Sequence, residues 1–158
     1  MSFLFHYLLK NPSEAQAIRD EVDTICGDGP VKFEHLNKLE YIDAALKETL
    51  RLKSTAPAFT VSAKADTELL DGKYEVEKGD PIVVVLDALH RDPLVWGNDA
   101  EEFKPRRMLN GGFNGLPADA WKPFGNGMRG CIGRPFAWQE SLLVVAMVSL
   151  RVLADLTG

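Results

Sequence analysis

The segment Phe124-Gly125-Asn126-Gly127-Met128-Arg129-Gly130-Cys131-Ile132-Gly133 constrains this chain more than any other feature: it sets one cysteine on a glycine-rich loop, with an arginine two positions before it. Gly127 and Gly133 allow the backbone to come close to a flat partner, because a Cβ there would clash and glycine tolerates positive φ. Phe124 is placed to cover the sulfur. Arg129 presents a permanent planar cation, whose fork suits a carboxylate better than a lysine would. Pro135 fits the first turn of a helix predicted from about Phe136 toward Leu153. Cys131 then sits just before a helix N-terminus, where free N–H groups and the positive dipole end favour an anionic sulfur. The plainer alternative is a small buried hydrophobe beside a glycine turn, which describes most lone intracellular cysteines. Cys26, in the turn-rich Cys26-Gly27-Asp28-Gly29-Pro30, has no arginine or aromatic cover and reads as structural.

The spacing F-x-x-G-x-R-x-C-x-G resembles the haem-binding signature of the cytochrome P-450 family. The resemblance implies that Cys131 is the axial thiolate ligand, and so the metal ligand, of a haem b iron. Phe124, Gly127, Arg129 and Gly133 would complete the cofactor-binding loop, with Arg129 toward a haem propionate. A second constellation is more ordinary: Glu48 and Arg51 are three apart and share a helical face, as charged pairs on exposed helices commonly do. The family, however, joins an E-x-x-R helix to an arginine from a later P-E-R-F segment. Phe103-Lys104-Pro105-Arg106-Arg107-Met108 resembles that segment, with Arg107 as the retained arginine, Arg106 in place of the usual acid and Met108 in place of the usual aromatic. The resemblance thus implies a structural charge cluster of Glu48, Arg51 and Arg107 that fixes the path of the cysteine loop.

The motifs keep family order over nearly the whole chain. His90-Arg91-Asp92-Pro93, Trp96-Gly97 and Glu101-Glu102-Phe103 are similar to the irregular meander before the haem loop. By position His90 could approach a propionate. Ala56-Pro57-Ala58-Phe59 and the haem loop are most similar to the fungal and bacterial self-sufficient fatty-acid hydroxylases, whose haem domain is fused to a flavin reductase. That resemblance implies a mainly α fold with a small β-sheet and a monooxygenase that inserts one atom of O2 into a C–H bond of an apolar substrate, a fatty acid. Electrons would come from NADPH through FMN and FAD of the reductase partner, and Ala58 and Phe59 would contact substrate. The family's A-G-x-[DE]-T segment upstream of the E-x-x-R helix has no counterpart here. The expectation is therefore one partial cytochrome P-450 domain over residues 1–158, the C-terminal part of the fold, truncated at both ends. No catalytic residue beyond the haem ligand is expected within it. The competing reading is a non-catalytic fragment that carries the signature without turning over.

Composition agrees with a water-soluble piece: 158 residues, 46% hydrophobic, 26% charged, formal net charge −5. An acidic balance disfavours nucleic acid or an anionic membrane surface as partner. The apolar run at residues 1–10 contains His6 and falls far short of the roughly 20 apolar residues of a membrane span. Leu142 to Val148 is apolar all round but bracketed by Ser141 and Arg151, which predicts a buried helix. Two isolated cysteines give no disulfide framework, which fits a reducing, cytoplasmic setting. By resemblance residues 1–10 would be the last turns of the helix that carries the A-G-x-[DE]-T segment in the family, with Asn11-Pro12 as the stop; helical spacing predicts further helices over Ser13–Ile25 with Ser13 as N-cap, and over Glu34–Leu52 with a break near Leu39. Strands are predicted over Ala58–Lys64 and Pro81–Leu86, with a hairpin turn at Asp71-Gly72. Asp87 to Pro123 carries little periodicity. Trp121 and Trp138 read as packing residues, and Glu101-Glu102 as a solvated face.

Overall fold

A computed structural model describes residues 1–27 and 29–151, with only the backbone of Arg151. Helix α1 (Ser2–Lys10) and helix α2 (Pro12–Cys26) meet at Asn11, which closes one and opens the next. Its amide Nδ2 donates to the Tyr7 carbonyl at 2.8 Å, while its own carbonyl accepts from the N–H groups of Glu14 and Ala15. Asn11, not Ser13, therefore holds the N-cap position. The reason is Pro12, whose fixed φ and missing N–H suit it to the first helical position and leave the residue before it as the cap.

Helix α3 (Phe33–Leu36) stops and helix α4 (Glu40–Leu52) begins across the expected break, with Leu39 as the residue before α4. Eight α4 residues are buried, from Ile42 through Leu52, and they include Glu48 and Arg51. Such burial of a helix bearing charges requires that each charge find its partners inside. Helix α7 (Arg134–Arg151) starts two residues earlier than periodicity predicts, with Pro135 in its first turn. The end of the predicted helix, toward Leu153, lies outside the described residues. Leu142, Val145 and Ala146 of α7 pack with Ile18 and Val22 of α2 and Ile42 and Ala45 of α4 in the main apolar cluster. Each large aliphatic side chain so buried stabilises by roughly 1.5–3 kcal/mol.

The small β component is two separate antiparallel ribbons. Strand β1 (Ala58–Ser62) pairs with β4 (Pro81–Val85), Ala58 facing Val85 and Ser62 facing Pro81. Between them β2 (Thr67–Leu69) pairs with β3 (Tyr74–Val76) across the predicted hairpin. Leu70, Asp71 and Gly72 all take left-handed φ, so the turn spans more than the Asp-Gly pair. Both long strands end short of their predicted limits, and Leu86 opens helix α5 (Leu86–Leu89) instead. The stretch after it is less irregular than its lack of periodicity implies. In helix α6 (Pro93–Trp96) the Asp92 carboxylate accepts the Leu94 N–H at 2.9 Å and Pro93 occupies the first turn. A 3₁₀ turn follows at Pro105–Met108 and another at Gly127–Arg129. These turns are too short to carry a hydrophobic period, which is why the sequence pattern misses them. Ala44, Trp96, Ala100 and Met108 form a second buried cluster that holds this region against the far side of α4. The whole is mainly helical with a small β component.

Candidate functional site: a cysteine loop hung from one helix

Helix α4 carries the polar centre. Glu48 and Arg51 have no solvent exposure. Arg51 donates from Nε to Glu48 Oε2 at 2.8 Å and from Nη2 to Oε1 at 2.9 Å. Its remaining donors reach the carbonyls of His90 (2.9 Å), Ala100 (2.6 Å) and Glu102 (3.1 Å). All five guanidinium N–H groups are thereby satisfied, which a lysine with three donors on one atom cannot reproduce. Arg107 completes the group by donating from Nε to Glu48 Oε1 at 2.9 Å and from Nη1 and Nη2 to Asp99. The Lys104 N–H adds a further bond to Glu48 Oε1 at 3.0 Å. The structure thus brings Glu48, Arg51 and Arg107 together around one buried carboxylate. Asp99, held by Lys104 and Arg107, has its carboxyl pulled down to about 2.

The same helix anchors the underside of the cysteine loop. Trp121 donates its indole N–H to the Lys47 carbonyl at 3.1 Å, and Trp138 donates to Asp43 Oδ1 at 2.7 Å. The two indoles and Phe124 form an aromatic trio with centroid separations of 6.0–6.3 Å, and the Arg134 guanidinium lies over Trp121 and Phe124. The indoles are therefore polar anchors as well as packing residues. A tryptophan near a glycine loop shows nothing in sequence of where its N–H points.

Above this floor the loop closes on itself. The Cys131 N–H donates to the Phe124 carbonyl at 2.8 Å, and the Gly125 N–H to the Lys122 carbonyl at 3.0 Å. Gly125 and Gly127 adopt positive φ of 68° and 59°, which explains why glycine stands there. Cys131 is exposed, so it is not the small buried hydrophobe of the plainer reading. With Phe124, Gly125, Asn126, Gly127, Gly130 and Arg134 it lines an open concavity. Gly133 lies behind the sulfur: a Cβ there would stand 3.8 Å from Sγ, an ordinary contact. The close approach that Gly133 allows is thus not toward its own cysteine. Arg129 is exposed and lies outside that lining, with no hydrogen bond or ion pair among the described residues.

His90 departs from the expectation based on position. It is fully buried, with the Lys122 N–H donating to Nε2 at 2.9 Å and Ser54 Oγ 3.3 Å from Nδ1, so neither nitrogen is free for a propionate. Burial away from water is the main reason its ring titrates low, at about 4. Glu102, read as part of a solvated face, contributes its backbone carbonyl to Arg51. Ala58 and Phe59 lie half-buried at the start of β1, opposite Val85 and Val84.

A cytochrome P450 family model matches residues 1–151. The chain belongs to the cytochrome P450 family. It is 57% identical over 148 residues to a self-sufficient cytochrome P450 monooxygenase of Exserohilum turcicum, and 55% identical over 148 residues to another of Oidiodendron maius. A bifunctional cytochrome P450/NADPH–P450 reductase of Acremonium egyptiacum is 54% identical over 153 residues. Each match covers 94% of this chain and 14% of the relative, so the chain spans about one seventh of the proteins it resembles. Among the described residues of this P450 chain, no helix is long and apolar enough to cross a membrane.

Proposed function

We propose that these residues supply the iron-holding face of a haem-thiolate monooxygenase, as part of one cytochrome P450 domain. The single observation that carries the reading is the exposed Cys131 thiol on a rigidly closed glycine loop at the mouth of α7. The residues present fit a haem. Cys131 lines an open concavity with Phe124, Arg134 and the loop glycines, and close to it in sequence Met128 and Ile132 are fully exposed and Phe136 is mostly so. Apolar side chains so placed are costly in water and suited to a flat apolar macrocycle. Arg129, exposed and uncommitted, is available to a propionate carboxylate.

Bound at a cysteine thiolate, haem supplies oxygen activation, because the electron-rich sulfur favours O–O cleavage. The chain's own residues do the holding. Cys131 gives the donor sulfur, and its N–H, tied to Phe124, fixes the direction of the Cα–Cβ bond. Trp121, Trp138 and Arg134 keep Phe124 in place, while the Glu48–Arg51–Arg107 cluster fixes the segment leading to the loop. Ala58 and Phe59 are assigned to the substrate side. The names of the relatives support a fused NADPH-dependent flavin reductase as electron donor. The fatty-acid substrate follows from the resemblance of the Ala56–Phe59 run and the loop. The test replaces the matching stretch of the Exserohilum turcicum relative by residues 1–151 and measures NADPH-dependent fatty-acid hydroxylation. Turnover that Cys131→Ala removes is expected. Turnover that survives the substitution overturns the assignment.

A further inference from the structure

We propose that His90 is a positioning residue for the cysteine loop, holding the backbone that enters the loop on one fixed tautomer of a buried imidazole. The proposal takes its consequence from the reading of Cys131 as haem ligand, but it stands on geometry that is independent of haem.

The backbone of His90 is pinned on both sides. Its N–H donates to the Leu86 carbonyl at 2.8 Å, and its carbonyl accepts from Arg51 Nη1 at 2.9 Å. The ring is therefore placed by the same arginine that organises the Glu48 cluster. The Lys122 backbone N–H can only donate, so Nε2 must offer a lone pair and Nδ1 must carry the proton. Ser54 Oγ, 3.3 Å from Nδ1, spends its own hydrogen on the Leu50 carbonyl at 2.8 Å and is left free to accept. The donors and acceptors balance for one tautomer alone. The other tautomer sets two donors against each other at Lys122 inside a site closed to water, where an unmade bond is expensive.

From Lys122 the fixed geometry runs directly into the loop. The Lys122 carbonyl accepts from Gly125, and the Phe124 carbonyl accepts from Cys131. Between the last turn of α4 and the sulfur there is thus an unbroken run of hydrogen bonds: Leu50, Ser54, His90, Lys122, and then the loop itself. Glutamine at position 90 can present an acceptor near the place of Nε2. Phenylalanine has a similar volume and presents none.

The experiment uses the 158-residue chain and amide hydrogen exchange followed by NMR. In His90→Phe the Lys122 amide should exchange about tenfold faster than in the unmodified chain, the worth of one ordinary hydrogen bond. The Cys131 amide should follow, while Ile18 in α2 keeps its protection. His90→Gln should restore Lys122. A merely structural role would lower protection at all three positions alike, and that result overturns the proposal. So does Lys122 exchange that is unchanged in His90→Phe. Should both variants fail to fold, the ring nitrogens of the unmodified chain decide: an Nδ1–H imidazole supports the proposal and an Nε2–H imidazole overturns it. Failure of the haem reading would show separately, as a missing thiolate–haem band, and would leave these exchange results standing.

Discussion

Glu48 and Arg107, 59 positions apart, meet at 2.9 Å on a carboxylate oxygen that solvent does not reach. That contact ties the 3₁₀ turn at Pro105–Met108 to α4, and Arg51 holds the other edge of the same carboxylate. Glu48→Gln keeps the shape and removes the charge, which leaves two arginines facing a neutral amide. Breaking a buried charge network in this way destabilises by about 3–5 kcal/mol. Urea unfolding should show that loss, and a loss below about 1 kcal/mol, the range of an exposed pair, would contradict the network.

Two adjacent glycines should respond differently to alanine. A Cβ on Gly112 would lie 2.2 Å from the Arg107 carbonyl oxygen, so backbone in the Arg107 turn must move. A Cβ on Gly111 meets nothing within 4 Å, and its φ of +84° gives only the strain of a left-handed residue, roughly 1–2 kcal/mol. Gly112→Ala should therefore lower the melting temperature more than Gly111→Ala. The reverse order would contradict the packing described around Arg107.

His90 makes stability depend on pH. Buried beside Ser54 and the backbone of Lys122, with Arg51 and Asp87 as the charged neighbours that act on it, the ring titrates at about 4 against 6.5 when free. On acidification the unfolded chain takes up the proton first, so stability from this group is intact above pH 6.5, declines below it and is lost once the pH falls through about 4. The total is on the order of 3 kcal/mol. Unfolding free energies of the unmodified chain and of His90→Gln, measured from pH 7 down to 4.5, should converge as the pH falls. Curves that stay parallel would show that the ring takes up its proton equally in the folded and unfolded chain, and would contradict the lowered titration.

Much of this arrangement is legible in the sequence, and for physical reasons. The glycine–cysteine loop and the E-x-x-R helix are local patterns whose residue types admit few alternatives. The helix stop at Asn11-Pro12 follows from the backbone restriction that a single proline carries. What stayed hidden depends on direction and burial across long separations. Nothing in His90-Arg91-Asp92-Pro93 shows that the imidazole turns inward to Lys122, and nothing in Trp138 shows an indole aimed at Asp43, 95 positions earlier. The small β component divides into two ribbons, and the left-handed φ of Leu70 and Asp71 at the turn between β2 and β3 is something strand propensity does not encode.

The central claim is that Cys131 is the thiolate that holds iron. The most direct measurement is the absorption spectrum of the reduced carbon monoxide complex, taken on the chimaera in which residues 1–151 replace the matching stretch of the Exserohilum turcicum relative. The unmodified chimaera should show the red-shifted Soret band of a thiolate-ligated haem, and Cys131→Ser should lose it. A Cys131→Ser protein that keeps the red-shifted band would contradict the account.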